Sequence, residues 1–145
     1  MLTAYYDRSI DISVSSHIEN IVGFIDQYLF DRSLADRFIE VIFEYDEEME
    51  VVDGFCTQDD NHSFTIQLHP NLDDETFDRT ILHELVHVHQ YSIGTLGQYH
   101  ISGSGPRVIW KGEDITDCQY DDRPCEIEAR QLEEQLYKHF LQLTS

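Results

Sequence analysis

The chain has 145 residues, 41% of them hydrophobic, which is enough for one domain with a single core over residues 1–145. Its 29 acidic and 9 basic residues give a formal net charge of -20, and this lack of basic surface argues against nucleic acid as a partner. No stretch approaches the roughly 18 to 20 apolar residues of a membrane span, and the N-terminus lacks the features of a signal peptide. We therefore expect a cytoplasmic protein, or one carried in a particle assembled in the cytoplasm.

The negative charge has three explanations that the sequence leaves open. It can be a solvated surface that promotes solubility. It can create a field that attracts a basic substrate or a basic protein partner. It can also mimic DNA and sequester a basic protein.

The first half of the chain predicts one helix and several short strands. Residues 3–14 alternate loosely between apolar and polar, as a short strand does. Ser16 starts a capping-box pattern that opens a helix ending near Asp31. Three strand-like segments follow, at 37–45, 49–57 and 63–69. We expect them to form a small antiparallel sheet of about three strands.

A longer helix, predicted over residues 73–92, carries a His-Glu-Leu-Val-His pentad. On a helix, His83 and His87 lie on one face and can bind one zinc ion, with Glu84 as general base. At about 100° per residue the pair falls near 240° and 280°, whereas the apolar arc is centred near 80°. His89 falls near 120°, so we expect it to be a half-buried histidine with a hydrogen-bond partner.

The segment between the two helices of the second half, residues 94–122, is predicted as a long loop rich in glycine. A loop of this length in a compact domain is often functional. Its candidates for lining a substrate pocket are Tyr99, His100, Trp110 and Tyr120.

The last helix, predicted over residues 123–143, offers a third metal ligand. Pro124 suits the first turn of a helix, and apolar residues then recur at three- and four-residue spacing. Glu126 and Glu128 lie in the early turns, where the helix dipole also favours acids, and helical phase does not choose between them. Catalytic zinc usually takes three protein ligands, so either carboxylate can complete a site with the two histidines.

These motifs resemble the zincin superfamily of HExxH metallopeptidases, and within it the gluzincin-like branch with a glutamate third ligand. In that branch the second helix carries a Glu-x-x-Ala element, and residues 126–129 match it. The resemblance therefore implies Glu126 as the ligand. The order of the pentad, the Trp-Lys-Gly at 110–112, Tyr120 and the Pro-Cys-Glu-Ile-Glu-Ala at 124–129 is also similar to small metallopeptidases of bacteriophages and bacteria.

The match covers roughly residues 64–132 and departs from the relatives at two positions. Cys125 stands where such relatives often have Trp. Arg130 stands where many gluzincins have an acid that braces a ligand histidine, which leaves that partner unassigned.

The resemblance implies an α+β, zincin-like fold, in which the small sheet packs on an N-terminal helix, the pentad helix and a C-terminal helix. The strand at 63–69 would border the cleft as an edge on which an extended substrate pairs.

The function implied is that of a zinc metallopeptidase acting on a peptide or protein, a basic one if the charge attracts it. Zn²⁺ bound by His83, His87 and Glu126 lowers the pKa of its water, Glu84 is the general base, and Tyr120 is a candidate donor to the oxyanion. The alternative is a non-catalytic structural or interaction protein, such as a virus-particle component, that keeps the fold and uses the metal as a staple.

Overall fold

The computed structural model of the chain describes residues 1–101, 103 and 105–144. Within them the fold is α+β, with two small sheets and three long helices. The first sheet contains β1 (Leu2–Tyr6), β2 (Ile39–Tyr45), β3 (Gly54–Gln58) and β4 (Ser63–Leu68). The helices are α1 (Ile12–Ile25), the single turn α2 (Asp31–Ser33), α3 (Asp74–Ile93) and α4 (Pro124–Thr144). None of the described helices is both long and apolar enough to cross a membrane.

The first sheet is mixed. Its strand order is β1-β2-β4-β3, in which β1 and β4 run parallel to β2 and only β3 runs antiparallel to its neighbour β4. The prediction that the segments 37–45, 49–57 and 63–69 form an antiparallel sheet is therefore wrong for β2 and β4, and only the β3–β4 pair is antiparallel. The physical reason is the connections. The chain crosses from β1 to β2 through α1, which makes these two strands parallel. From β2 it goes to the edge position of β3 and then turns back into β4, which therefore runs parallel to β2.

The first helix begins earlier than the capping-box pattern predicts. Asp11 caps it, since its Oδ1 accepts a hydrogen bond from the backbone N–H of Val14 at 3.0 Å. Ser16 lies inside the helix, where its hydroxyl donates to the carbonyl of Ile12 at 2.8 Å. The predicted strand over residues 3–14 is shortened to β1 as a result. After α1 the chain continues through a π-helical turn, Asp26–Phe30, into α2.

One hydrophobic core lies between the first sheet and the helices. The strands alternate between buried and more exposed side chains, so one face of the sheet is buried and the other is largely open. The fully buried residues of β2 and β4 are Ile39, Val41, Phe43, Phe64, Ile66 and Leu68. The helix residues that pack on them include Ile18, Ile21, Ile25, Ile81, Leu82 and Leu85. This packing fixes α3 in place and directs the side of α3 that carries the two pentad histidines toward α4.

The segment predicted as a loop contains the second sheet. β5 (Leu96–Ile101), β6 (Gly105–Trp110) and β7 (Glu113–Asp114) are antiparallel in that order, and residues 102 and 104 of the predicted loop lie outside the described residues. Leu96 and Trp110 are buried against Cys125 at the start of α4. A three-stranded antiparallel sheet is thus present, but it is built from residues other than those expected. It forms one wall of the cleft beside α3.

Gly54 lets β3 run close to α3. A Cβ at Gly54 would lie 2.6 Å from Thr80 Cγ2, 3.3 Å from the carbonyl of Gln67 and 3.4 Å from Glu84 Cγ. β3 is the edge strand on the side of α3 residues Thr80 and Glu84, and β1 is the opposite edge, whereas β4 lies between β2 and β3. The strand that borders the cleft with a free edge is therefore β3, and the expectation that the 63–69 strand has this place is wrong.

Replacing Gly54 by Ala is expected to lower the free energy of unfolding by about 1 to 3 kcal/mol, because the new methyl group overlaps Thr80. Gly23→Ala is the control, since a Cβ at Gly23 meets nothing within 4 Å. That change is expected to stabilise α1 by roughly 0.5–1 kcal/mol. Urea unfolding followed by circular dichroism measures both variants. Similar small changes in the two would show that β3 does not pack closely on α3.

Candidate metal centre

The packing of α3 against α4 brings three donor groups together. His83 Nε2 lies 3.0 Å from Glu126 Oε1, and His87 Nε2 lies 2.9 Å from Glu126 Oε2. One ligand atom from each residue lies within 4.8 Å of the other two, and these three side chains form a group that could hold a metal ion. The two histidines come from successive turns of α3, and Glu126 comes from the first turn of α4.

Glu128, the other carboxylate that helical phase left open, does not join this group. Its Oε1 accepts a hydrogen bond from Gln90 Nε2 at 3.0 Å. The Gln90 side chain in turn contacts His87. Glu128 is therefore two contacts away from the centre, while both oxygens of Glu126 face a histidine.

Gln90 determines which nitrogen of His87 carries the proton. Its amide nitrogen donates to the Cys125 carbonyl at 3.1 Å and to Glu128, so its oxygen accepts from His87 Nδ1 at 2.8 Å. Nε2 of the neutral His87 ring is then left with a lone pair. This buried Nε2 has no hydrogen-bond partner among the described residues, because its short approach to Glu126 lacks the direction of a hydrogen bond.

Glu133 orients His83 in the same way. Its Oε1 lies 3.1 Å from His83 Nδ1, and its Oε2 accepts from Arg79 Nε at 2.8 Å. Burial would raise the pKa of Glu133, but the hydrogen bonds to His83 and Arg79 outweigh it and lower the pKa. Glu133 is thus ionised and accepts from Nδ1, so Nε2 of His83 points at Glu126.

In the absence of a cation, protons hold these groups together. Burial lowers the pKa of His83, but hydrogen bonds to Glu126 and Glu133 outweigh it and raise the pKa to about 9. Burial also lowers the pKa of His87, and the nearby carboxylates of Glu126 and Glu84 outweigh it and raise the pKa. For Glu126 burial raises the pKa, and the two histidines lower it far below the ordinary carboxyl range.

A divalent cation suits this donor set better than two extra protons. Protonating both histidines places two positive rings side by side, with centroids 4.9 Å apart. A single cation would satisfy the Glu126 carboxylate and one lone pair from each imidazole, including that of the unpartnered His87 Nε2. Two imidazoles and one carboxylate also form a ligand set used for catalytic zinc.

Glu84 and Tyr120 line the cleft next to these three residues. Glu84 is only 5% exposed, and its burial raises its pKa even though the two histidines act against this. Tyr120 lies on a short 3₁₀ turn, Tyr120–Asp122. Burial and the negative charges of Glu126 and Glu84 raise the pKa of its phenol, which therefore stays protonated and can donate a hydrogen bond.

The other aromatic candidates of the predicted loop lie elsewhere. Tyr99 and His100 are exposed on β5, and Trp110 is buried in the small cluster below the cleft wall. His89 has the structural role expected of it. It is buried, and its Nε2 lies 2.8 Å from the hydroxyl of Ser33.

Sequence reasoning missed the residues that orient the histidines. Glu133 follows Glu126 by seven residues, which is two helical turns on the same face, and Gln90 follows His87 by three. These spacings are the signal that points to them. Arg130, at the position where the resemblance led us to look for a brace, is exposed and donates to the carbonyl of Asp121 at 2.5 Å.

Comparisons of the chain with protein-family models, with curated proteins and with solved structures find no match. The observations that bear on function are therefore local ones. They are the convergence of three donors, the hydrogen bonds that orient two of them, and the buried carboxyl of Glu84 beside them.

The affinity for a divalent metal is expected to rise with pH. His83 has a pKa of about 9 in the metal-free protein, so protons compete with the metal at every pH below that value. Each displaced proton should contribute up to about a tenfold gain in affinity per pH unit. Competition with a chromogenic zinc chelator at several pH values between about 6 and 8 measures the slope. An affinity that does not change with pH would contradict the assignment of the histidines as ligands.

Glu133→Ala is expected to weaken zinc binding about 10- to 100-fold, because His83 loses the acceptor that orients its ring. The matched control is Glu134→Ala, which removes the neighbouring carboxylate of an exposed pair with Lys138. The same chelator competition measures both variants. If both bind zinc as tightly as the unaltered chain, Glu133 does not hold His83 in place.

Proposed function

We propose that the protein is a zinc-dependent metallopeptidase that hydrolyses peptide bonds with a glutamate as general base. One observation carries the proposal. The buried carboxyl of Glu84 lies beside His83, His87 and Glu126, whose side chains converge and could bind one cation. His83, His87 and Glu126 would hold Zn²⁺. Zinc bound there would supply Lewis acidity, which lowers the pKa of a water molecule and polarises a carbonyl group.

Glu84 would move the proton in this reaction. It accepts a proton from the attacking water and delivers it to the nitrogen of the leaving amine. Its raised pKa supports this role, because a buried carboxyl holds a proton more firmly than an exposed one between the two transfers. Tyr120 would donate a hydrogen bond to the carbonyl oxygen as negative charge develops there.

The arrangement of the elements supports a zincin-like architecture. The pentad helix α3 packs on the first sheet, and α4 supplies Glu126 from its first turn. The free edge of β3 borders the cleft, where an extended peptide can add as a further strand. A peptide bound along β3 would pass Glu84, which Gly54 allows to lie close to that strand.

Glu84→Gln is expected to reduce peptide cleavage by about 10²- to 10⁴-fold while zinc content stays unchanged, because the amide cannot accept the proton of water. His83→Ala is expected to lose both zinc and cleavage. Elemental analysis of the purified variants measures the metal, and mass spectrometry of a digested peptide library measures cleavage. Glu134→Ala, which removes an exposed carboxylate paired with Lys138, is the control and should retain zinc and cleavage.

Three results would point elsewhere. Full activity of Glu84→Gln would show that Glu84 is not the base. Bound zinc without cleavage of any library member would favour a structural protein, such as a virus-particle component, in which the metal is a staple. Binding to basic proteins that is insensitive to chelators would favour a DNA mimic.

A further inference from the structure

The cleft beside the candidate metal centre has two halves with different chemistry. Glu84, Tyr120 and Glu126 border both halves. The half next to His83 is lined mostly by polar and charged groups. The half next to His87, which we call the His87 lobe, has a volume of about 270 Å³, close to the lower end of the range for ligand pockets.

The His87 lobe has apolar and aromatic walls from three parts of the fold. Phe55 comes from β3, Tyr91 from α3, and Leu96 and Val108 from the second sheet. Phe55 is 47% exposed, so its ring is open to solvent at the lobe, whereas Leu96 is buried. Such a lining favours an apolar or aromatic group of a ligand, because it removes that group from water.

Arg123 is the one cationic side chain among the described residues that line the His87 lobe. Its Nε donates to the carbonyl of Cys118 at 3.3 Å and its Nη2 to the carbonyl of Thr116 at 3.1 Å. Its guanidinium lies 5.8 Å from the centre of the Tyr120 ring. These contacts hold the guanidinium in position, but none of them is with a negatively charged group.

Arg123 shares the His87 lobe with the carboxyl groups of Glu84 and Glu126 but lies within 4.0 Å of neither. Of the other eight Lys and Arg residues, four lie within 4.0 Å of a carboxylate, namely Arg79, Arg107, Arg130 and Lys138. The other four, Arg8, Arg32, Arg37 and Lys111, form no such pair among the described residues either, but none of them lines the lobe. Arg123 forms no such ion pair within the part of the chain that the structure describes. The unpaired guanidinium of Arg123, in a largely apolar lobe, is suited to bind the carboxylate of a ligand.

We propose that the His87 lobe binds the C-terminal residue of a peptide, with its apolar side chain against Phe55 and Leu96 and its free carboxylate against Arg123. This inference rests on the proposed peptidase function and names its substrate class. The bond to the C-terminal residue then lies next to Glu84. Its hydrolysis breaks the amide C–N bond, with the hydroxyl of water going to the carbonyl carbon and a proton to the amine, and releases one apolar amino acid.

The binding step can be tested without turnover. N-acetyl-phenylalanine and its amide differ only in the carboxylate, and calorimetric titration of each into the zinc-loaded protein compares them. The acid is expected to bind at least about tenfold more tightly than the amide, because a charge-assisted hydrogen bond replaces a neutral one. Arg123→Gln should abolish the preference, and Arg107→Gln, which changes an arginine of β6 outside the lobe, should leave it unchanged.

Two results of the titration would overturn the inference. Equal binding of the acid and the amide would show that the lobe does not select a carboxylate. A full preference in Arg123→Gln would place the carboxylate on the metal ion. Arg123→Lys, which keeps the charge, covers the case in which the Gln variant fails to fold, and it should retain part of the preference.

The cleavage step separates this inference from the proposed function. A peptide that ends in Phe is compared as the free acid and as the amide, and release of the terminal residue is expected to be at least about tenfold faster from the acid, which yields Phe, than from the amide, which yields phenylalaninamide. Equal cleavage of both at an internal bond would overturn the inference and leave the peptidase proposal standing. Arg123-dependent binding of the acid without any cleavage would support the lobe and contradict the peptidase proposal.

Discussion

The site depends on a single electrostatic arrangement, in which the carboxylate of Glu126 is buried between the imidazoles of His83 and His87. A buried carboxylate is costly unless positive charge or hydrogen-bond donors meet it. The two histidines offer that compensation to Glu126 where the first turn of α4 packs beside α3. The buried negative charge of Glu126 also suits the site to a cation, since it can be neutralised either by protonated histidines or by a metal ion that the histidines and Glu126 bind together.

The surrounding residues fix the orientation of the two histidine rings. Gln90 Oε1 accepts a hydrogen bond from Nδ1 of His87, and Glu133 Oε1 accepts one from Nδ1 of His83. Both rings are therefore held with Nε2 toward the carboxylate. The Glu133 contact also joins Arg79 to the centre, so one of the few cations of this acidic chain supports the site from outside. The same polar contacts between α3 and α4 consequently help to hold the two helices together and orient the metal-binding side chains.

The cleft shows how the two sheets divide their roles. The first sheet provides a close edge, β3, whose approach at Gly54 leaves no room for a side chain between it and α3. The second sheet provides the apolar wall, anchored by Trp110 and Leu96 on Cys125. Sequence patterns predicted α3 and α4 to within one residue at each end, because long amphipathic segments with start signals are easily recognised, but they placed the cap of α1 at Ser16 instead of Asp11. They missed the second sheet, whose glycines and Pro106 hide the alternation of short strands.

Local chemistry along the chain determined the spacing of His83, Glu84 and His87 on one helix and the presence of acids at the start of another, because helical periodicity fixes which side chains share a face. Only the tertiary structure decided that Glu126 rather than Glu128 faces the histidines. It also decided that Glu133 and Gln90 orient them, and that β3 is the edge beside the cleft. These choices depend on how α3 and α4 pack and on the order of strands in the sheet. Both are set by burial of the whole core, which no single segment of the sequence contains.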